Sequence, residues 1–259
     1  MRAGLARRTS AQIEDLRREV DRLRGLVARK DRRIAQLRAR QRGRDDLGYL
    51  FVVTYGRSGS TLVNGVLNSI PGYLLRGENG DALRHLFRFH TTMVDRRARH
   101  GPQTKRPTRP WFGIGDFDAD RSLEELRRVA TTVVMRPRPD TRVTGFKEIR
   151  WAAADLPAYV AWLQQVFPGA RFVVNTRDHD GVLASGWWAE GDTEAKARRL
   201  KAAEEQLLEV ARGLGEDAFR VHYDEYVADP GVLRGLFDWL GEEYDDARVR
   251  AVFDQAHSY

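Results

Sequence analysis

Hydrophobic positions follow two different spacings along the chain. From Ile13 they keep a seven-residue repeat, with Ile13, Val20, Val27 and Ile34 at one heptad position and Leu16, Leu23, Lys30 and Leu37 at the other. β-branched residues at the first position and leucine at the second favour a parallel two-stranded coiled coil, predicted here for residues 11–42. Lys30 interrupts that seam, as a register-setting polar residue does. The same stripe also suits a single helix lying on its own domain. The polar run Arg38–Asp46 reads as a linker, which divides the chain into residues 1–46 and 47–259.

Beyond Asp46 the spacing changes. Tyr49-Leu50-Phe51-Val52-Val53 is a short apolar run without helical periodicity, the pattern of a strand buried on both faces. A Gly/Ser turn follows, then Leu62, Val63, Val66 and Leu67 on one helical face, closed by Pro71-Gly72. The alternation repeats: a helix over about 156–167, a strand over 171–175, a helix from about Gly181, a long helix over 193–214, and a strand over 219–223. Strands alternating with helices predict an α/β domain, three layers deep around a mostly parallel central sheet. Residues 76–140 are less regular and rich in arginine, proline and aromatics, and no internal repeat is evident.

Composition narrows the setting. The chain has 259 residues, 42% hydrophobic and 31% charged, and a mean hydropathy of −0.55. No run approaches the ~18 apolar residues of a membrane span, and the arginine-rich start lacks the apolar core of a secretory signal. The absence of cysteine excludes thiolate metal sites and thiol catalysis. A cytoplasmic protein is expected. Residues 1–46 hold 15 Lys and Arg against 7 Asp and Glu, so the net +7 of the whole chain belongs to this arm. The remainder is close to neutral, which argues against a nucleic-acid partner.

The strongest chemical signal lies between the first strand and helix, in Thr54-Tyr55-Gly56-Arg57-Ser58-Gly59-Ser60-Thr61. Glycines let backbone N–H groups converge on an anion, and the following helix adds its positive end. Ser58, Ser60 and Thr61 supply hydroxyls, and Arg57 a permanent cation. A nucleoside-triphosphatase loop would read G-x-x-x-x-G-K-[ST]. With Gly59 aligned to its second glycine, Ser60 stands where the lysine belongs. This disfavours a kinase-like phosphotransferase. A phosphate-like group held without a metal suits the loop better.

Tyr55–Leu62 resembles the 5′-phosphosulfate loop of sulfotransferases that use 3′-phosphoadenosine 5′-phosphosulfate (PAPS). A second block, Phe167-Pro168-Gly169-Ala170-Arg171-Phe172-Val173-Val174-Asn175-Thr176-Arg177-Asp178 followed by Ser185, is similar to that family's 3′-phosphate motif. A third, Val221–Pro230, looks like its V-x-Y-E-x-L-x-x-x-P segment. The resemblance covers about residues 49–259 in family order. It implies a P-loop-like α/β fold and PAPS as sulfuryl donor, with Tyr55, Gly56, Arg57, Ser58, Gly59, Ser60, Thr61, Arg177, Ser185 and Tyr223 binding it. It also implies a hydroxyl-bearing acceptor and no metal.

The resemblance further suggests roles for single residues. Glu78, in Arg76-Gly77-Glu78-Asn79-Gly80, matches the family's catalytic glutamate, a base for the acceptor hydroxyl. His85 and His90 are rival bases. Lys147 resembles the family lysine that meets the leaving group, and a compact ammonium suits that task better than a guanidinium. The alternative is a Lys147–Glu148 pair on the surface. Arg57 would share the charge. Trp187 and Trp188 either stack the adenine or belong to the core, and His257-Ser258-Tyr259 either approaches the nucleotide or frays. Trp111-Phe112 and the basic segment Arg96–Arg109 either line the acceptor entrance or form a solvated loop. A coiled-coil homodimer completes the expectations; the alternative to an enzyme is a non-catalytic nucleotide-binding scaffold recruited through its coiled coil, against which Glu78 and Lys147 argue.

Overall fold

A computed structural model describes residues 47–101, 106–186 and 192–255, together with Val20, Arg22, Leu23 and Lys30. The chain separates into two compact units, Met1–Leu47 and Gly48–Tyr259. Most of the predicted coiled coil, Trp187 and Trp188, and His257-Ser258-Tyr259 fall outside the described residues.

The second unit is built on a five-stranded parallel sheet in the order β2-β3-β1-β4-β5. Its strands are β1 (Gly48–Val53), β2 (Tyr73–Arg76), β3 (Val143–Glu148), β4 (Arg171–Thr176) and β5 (Ala218–His222). In β1, β3 and β4 every residue after the first is buried, because helices cover both faces of the sheet. The helices are α1 (Ser60–Ser69), α2 (Ala82–His100), α3 (Ala119–Val129), α4 (Leu156–Val166), α5 (His179–Leu183), α6 (Thr193–Leu214), α7 (Tyr223–Ala228), α8 (Arg234–Leu240) and α9 (Asp246–Phe253).

Strand alternation separates two cores. Leu50 and Val52 of β1 join Val63, Leu67, Leu236, Phe237 and Val249 on one face. On the other, the Phe51 ring lies 5.0 Å from Phe146, 5.5 Å from Phe167 and 5.6 Å from Phe172. The chain leaves β1 toward β2 and β3, then crosses to β4 and β5 on its other side. The carboxyl end of β1 is therefore the topological switch point, where α/β sheets form their ligand crevice.

Several elements go beyond the sequence expectation, α2 and β2 among them. Within the segment read as irregular, α2 runs for 19 residues. Its inward stripe is narrow and half polar (Leu83, Arg84, Phe87 and His90), so apolar periodicity does not reveal it. Arg84 is satisfied there by Asp81 at 2.7 Å, by Asp155, and by the Tyr159 ring at 4.5 Å. The four-residue edge strand β2 is too short to alternate visibly. Among the described residues no helix is long and apolar enough to cross a membrane.

Candidate functional site

The loop after β1 is fixed from beneath by β4 and α7. Thr54 Oγ1 donates to the Asn175 carbonyl at 2.8 Å and lies 2.6 Å from Ser58 Oγ. Asn175 Nδ2 donates to the Ser58 carbonyl at 2.8 Å, and Asn175 Oδ1 accepts from Tyr226 at 2.9 Å. Arg57 and Gly59 take left-handed conformations, with φ of 69° and 75°. At Gly59 a Cβ would fall 1.9 Å from Tyr223 Cδ2, so only glycine fits beneath that ring. The first turn of α1 has no side-chain cap at Gly59. Its N–H groups open, with Ser60 and Thr61, onto a cavity of about 650 Å3.

Cations reach the same cavity from three separate stretches of sequence. Arg177, just beyond β4, lies over Tyr223 with 4.5 Å to the ring centre and donates to the Arg57 carbonyl at 3.0 Å. Its Nε is buried without a protein partner. Arg57 Nε donates to Ser185 Oγ at 2.9 Å. Lys147 arrives on β3, whose register sets it beside Val52. Among the described residues, the cavity lining thus carries Arg57, Lys147 and Arg177 against the single carboxylate of Glu78. A glycine-walled helix terminus, an orphaned guanidinium nitrogen and this charge balance suit phosphate or sulfate oxygens.

Lys147 Nζ donates to Glu78 Oε1 at 2.6 Å, with the lysine side chain 8% exposed and the glutamate 37%. Glu78 sits in the turn between β2 and α2, its Oε2 3.9 Å from Arg150 Nη1. Lys147 and Glu148 are both buried, so the surface-pair alternative does not hold. As consecutive residues of one strand they point to opposite sides. Lys147 faces the cavity. The Glu148 carboxylate accepts from the backbone N–H groups of Asn79, Asp81 and Ile149 at 3.1, 3.0 and 2.8 Å. Burial opposes the Glu148 charge, but these donors together with Arg150 outweigh it and hold the carboxyl below the usual range.

The remaining candidates lie apart from the cavity. Tyr55 and Ser58 are not in its wall. The Tyr55 hydroxyl accepts from the Arg177 N–H at 2.9 Å and donates to Glu204, and burial, reinforced by Glu204, pushes its pKa up. Ser185 lies beyond the end of α5 and contacts Arg57 rather than the cavity. His85 is exposed. His90 is buried, 3.1 Å from Ser122 Oγ, with its pKa lowered by burial. Trp111 stacks on His100 at 4.3 Å. Glu148 escapes sequence reasoning because its partners are backbone groups. Phe253 and Gln255, at the end of α9, also line the cavity, and no motif marks them.

Residues 50–246 match the profile of a family described as the sulfotransferase family. Two solved structures share the fold. One is a sulfotransferase domain from the olefin synthase of Synechococcus PCC 7002, with a TM-score of 0.50 at 18% identity, covering 82% of this chain and 79% of its own. The other is a sulfotransferase domain from the curacin biosynthetic pathway, with a TM-score of 0.50 at 17% identity, covering 81% and 79%. No curated protein sequence gives a significant match.

Proposed function

This chain belongs to the sulfotransferase family, and on that premise we propose that its cavity takes PAPS and delivers the sulfuryl group to an acceptor hydroxyl. One observation supports this reading above the others: a carboxylate, a buried ammonium, a glycine-walled loop and the two guanidinium groups of Arg57 and Arg177 converge on one cavity at the switch point of the sheet. Bound there, the donor supplies an activated sulfur with a phosphate leaving group. The loop N–H groups, Ser60, Thr61 and Arg57 hold its 5′ end. Arg177 serves the 3′-phosphate, Ser185 steadies the Arg57 guanidinium, and Tyr223 lies beneath the nucleotide.

Glu78 takes the proton of the acceptor hydroxyl as its oxygen bonds to sulfur. The bond from sulfur to the bridging oxygen breaks, and that electron pair leaves with 3′-phosphoadenosine 5′-phosphate. Lys147 and Arg57 neutralise the charge that develops on the leaving oxygen. The resting Lys147–Glu78 contact of 2.6 Å links these roles. An anionic donor draws the ammonium toward itself, which frees the Glu78 carboxylate to act as base only when the donor is in place. The acceptor class is left to the wall around Glu78, and residues 11–42 are assigned to homodimer formation.

Calorimetric titration with 3′-phosphoadenosine 5′-phosphate in metal-free buffer, beside ATP with Mg²⁺, tests the donor class. Micromolar binding of the bisphosphate, lost in Arg177→Ala, is the expected result. Clear ATP binding with no bisphosphate binding would overturn the reading in favour of a kinase-like transferase.

A further inference from the structure

The turn that carries Glu78 has little packing of its own. Gly77 and Gly80 stand on either side of the glutamate and its neighbour, and a Cβ added at either would meet nothing within 4 Å. Glu78 itself is 37% exposed. The turn is located instead by its backbone N–H groups. Those of Asn79 and Asp81 converge on Glu148 Oε2 at 3.1 and 3.0 Å. The other oxygen of the same carboxylate accepts from Ile149 N at 2.8 Å and Arg150 N at 3.3 Å, which ties it to the end of β3. Glu148 is 1% exposed. A buried charge of this kind persists only when its hydrogen bonds are complete.

We propose that Glu148 is a positioning residue for sulfuryl transfer: its buried carboxylate clamps the glycine-flanked turn of residues 77–81 to the end of β3 and so holds Glu78 against Lys147. The proposal rests on the reading of Glu78 as base. The clamp works from both sides of one strand end. Lys147 bonds the Glu78 side chain, and Glu148, the next residue, bonds the amides that follow it in the turn. Arg150 completes the arrangement, its Nη1 lying 3.4 Å from Glu148 and 3.9 Å from Glu78. Helix capping alone does not require Glu148, since Asn79 Oδ1 already accepts from Ala82 N at 2.8 Å.

Glu148→Gln keeps the shape but exchanges an accepting oxygen for a donating amide, which cannot serve both limbs of the clamp. Two quantities are read on the full chain: hydrogen exchange at the Asn79 and Asp81 amides, and sulfate released from PAPS with water as the only acceptor. The expected result is faster exchange at both amides and a turnover loss of about a hundredfold, the scale of a misplaced catalytic group. Affinity and stoichiometry for 3′-phosphoadenosine 5′-phosphate stay unchanged, which a general loss of fold would not allow. Unchanged amide protection, or a turnover loss matched by lost bisphosphate sites, overturns the proposal. Glu78→Gln separates the proposal from its premise. If that variant turns over like the wild type, the base reading falls and the proposal with it. An inactive Glu78→Gln beside an active Glu148→Gln overturns the proposal alone. Should Glu148→Gln fail to fold, Glu148→Asp, with its charge withdrawn by one methylene, is read in the same way.

Discussion

Tyr223 lies against Gly59 on one side and under the Arg177 guanidinium on the other, so three sequence motifs meet at one ring. Gly59→Ala places a methyl 1.9 Å from that ring at a φ of 75°. The strain amounts to about 1–3 kcal/mol. We expect a lower thermal midpoint together with loss of bisphosphate binding, measured by calorimetry, because the ring must move off the loop. Glu148 makes a second prediction at this scale. A carboxyl whose folded pKa is depressed contributes stability above its unfolded value, about 4.3 for glutamate, and that contribution disappears as pH falls through the folded value. Acid titration of unfolding should therefore be flatter for Glu148→Gln than for the wild type as pH falls from about 4.3 through the depressed folded value. A parallel acid dependence in the two proteins would contradict it. Residues that bring a side-chain charge or hydroxyl to the cavity wall, such as Arg57, Ser60, Lys147 and Arg177, were legible from motif and residue type. Glu148 was not, because it acts on backbone amides that only the folded turn presents.

Among the elements, the long helix α6 and the strands β1 and β4 follow their sequence pattern closely, since an apolar run or a full amphipathic period leaves little choice. Helix α2 does not, because a buried arginine and a buried histidine occupy its core-facing stripe. Their acceptability depends on Asp81 at the start of the same helix and on Asp155 and Ser122 arriving from elsewhere in the chain. At α9 the N-cap Asp245 accepts from Arg248 N at 3.0 Å. The helix packs on α1, and its C-terminal end brings Phe253 and Gln255 to the cavity wall. Asp245→Ala should destabilise the domain by about 1 kcal/mol. It should also weaken bisphosphate binding modestly, by fraying the element that carries this wall. Denaturant unfolding and calorimetry on one preparation check both effects.

For the molecule as a whole, the proposed donor cavity and both cores lie within the unit Gly48–Tyr259. Removing residues 1–42 should therefore leave bisphosphate binding intact, and on the proposed role of residues 11–42 light scattering should show a dimer for the full chain and a monomer for the truncated one. A dimer that survives the truncation would assign the interface elsewhere. The sequence alone determined the α/β class, because alternating apolar runs and helical faces can be buried in few other ways. It also determined which cation, hydroxyls and glycines the loop after β1 carries, because these follow from residue type and local spacing. Only the tertiary structure decided that Lys147 meets Glu78, that Ser185 meets Arg57, and that Glu148 lies beneath the turn rather than at the surface. Each of these contacts joins residues set by strand order and register, and no local pattern in a chain encodes which of its strands will be neighbours.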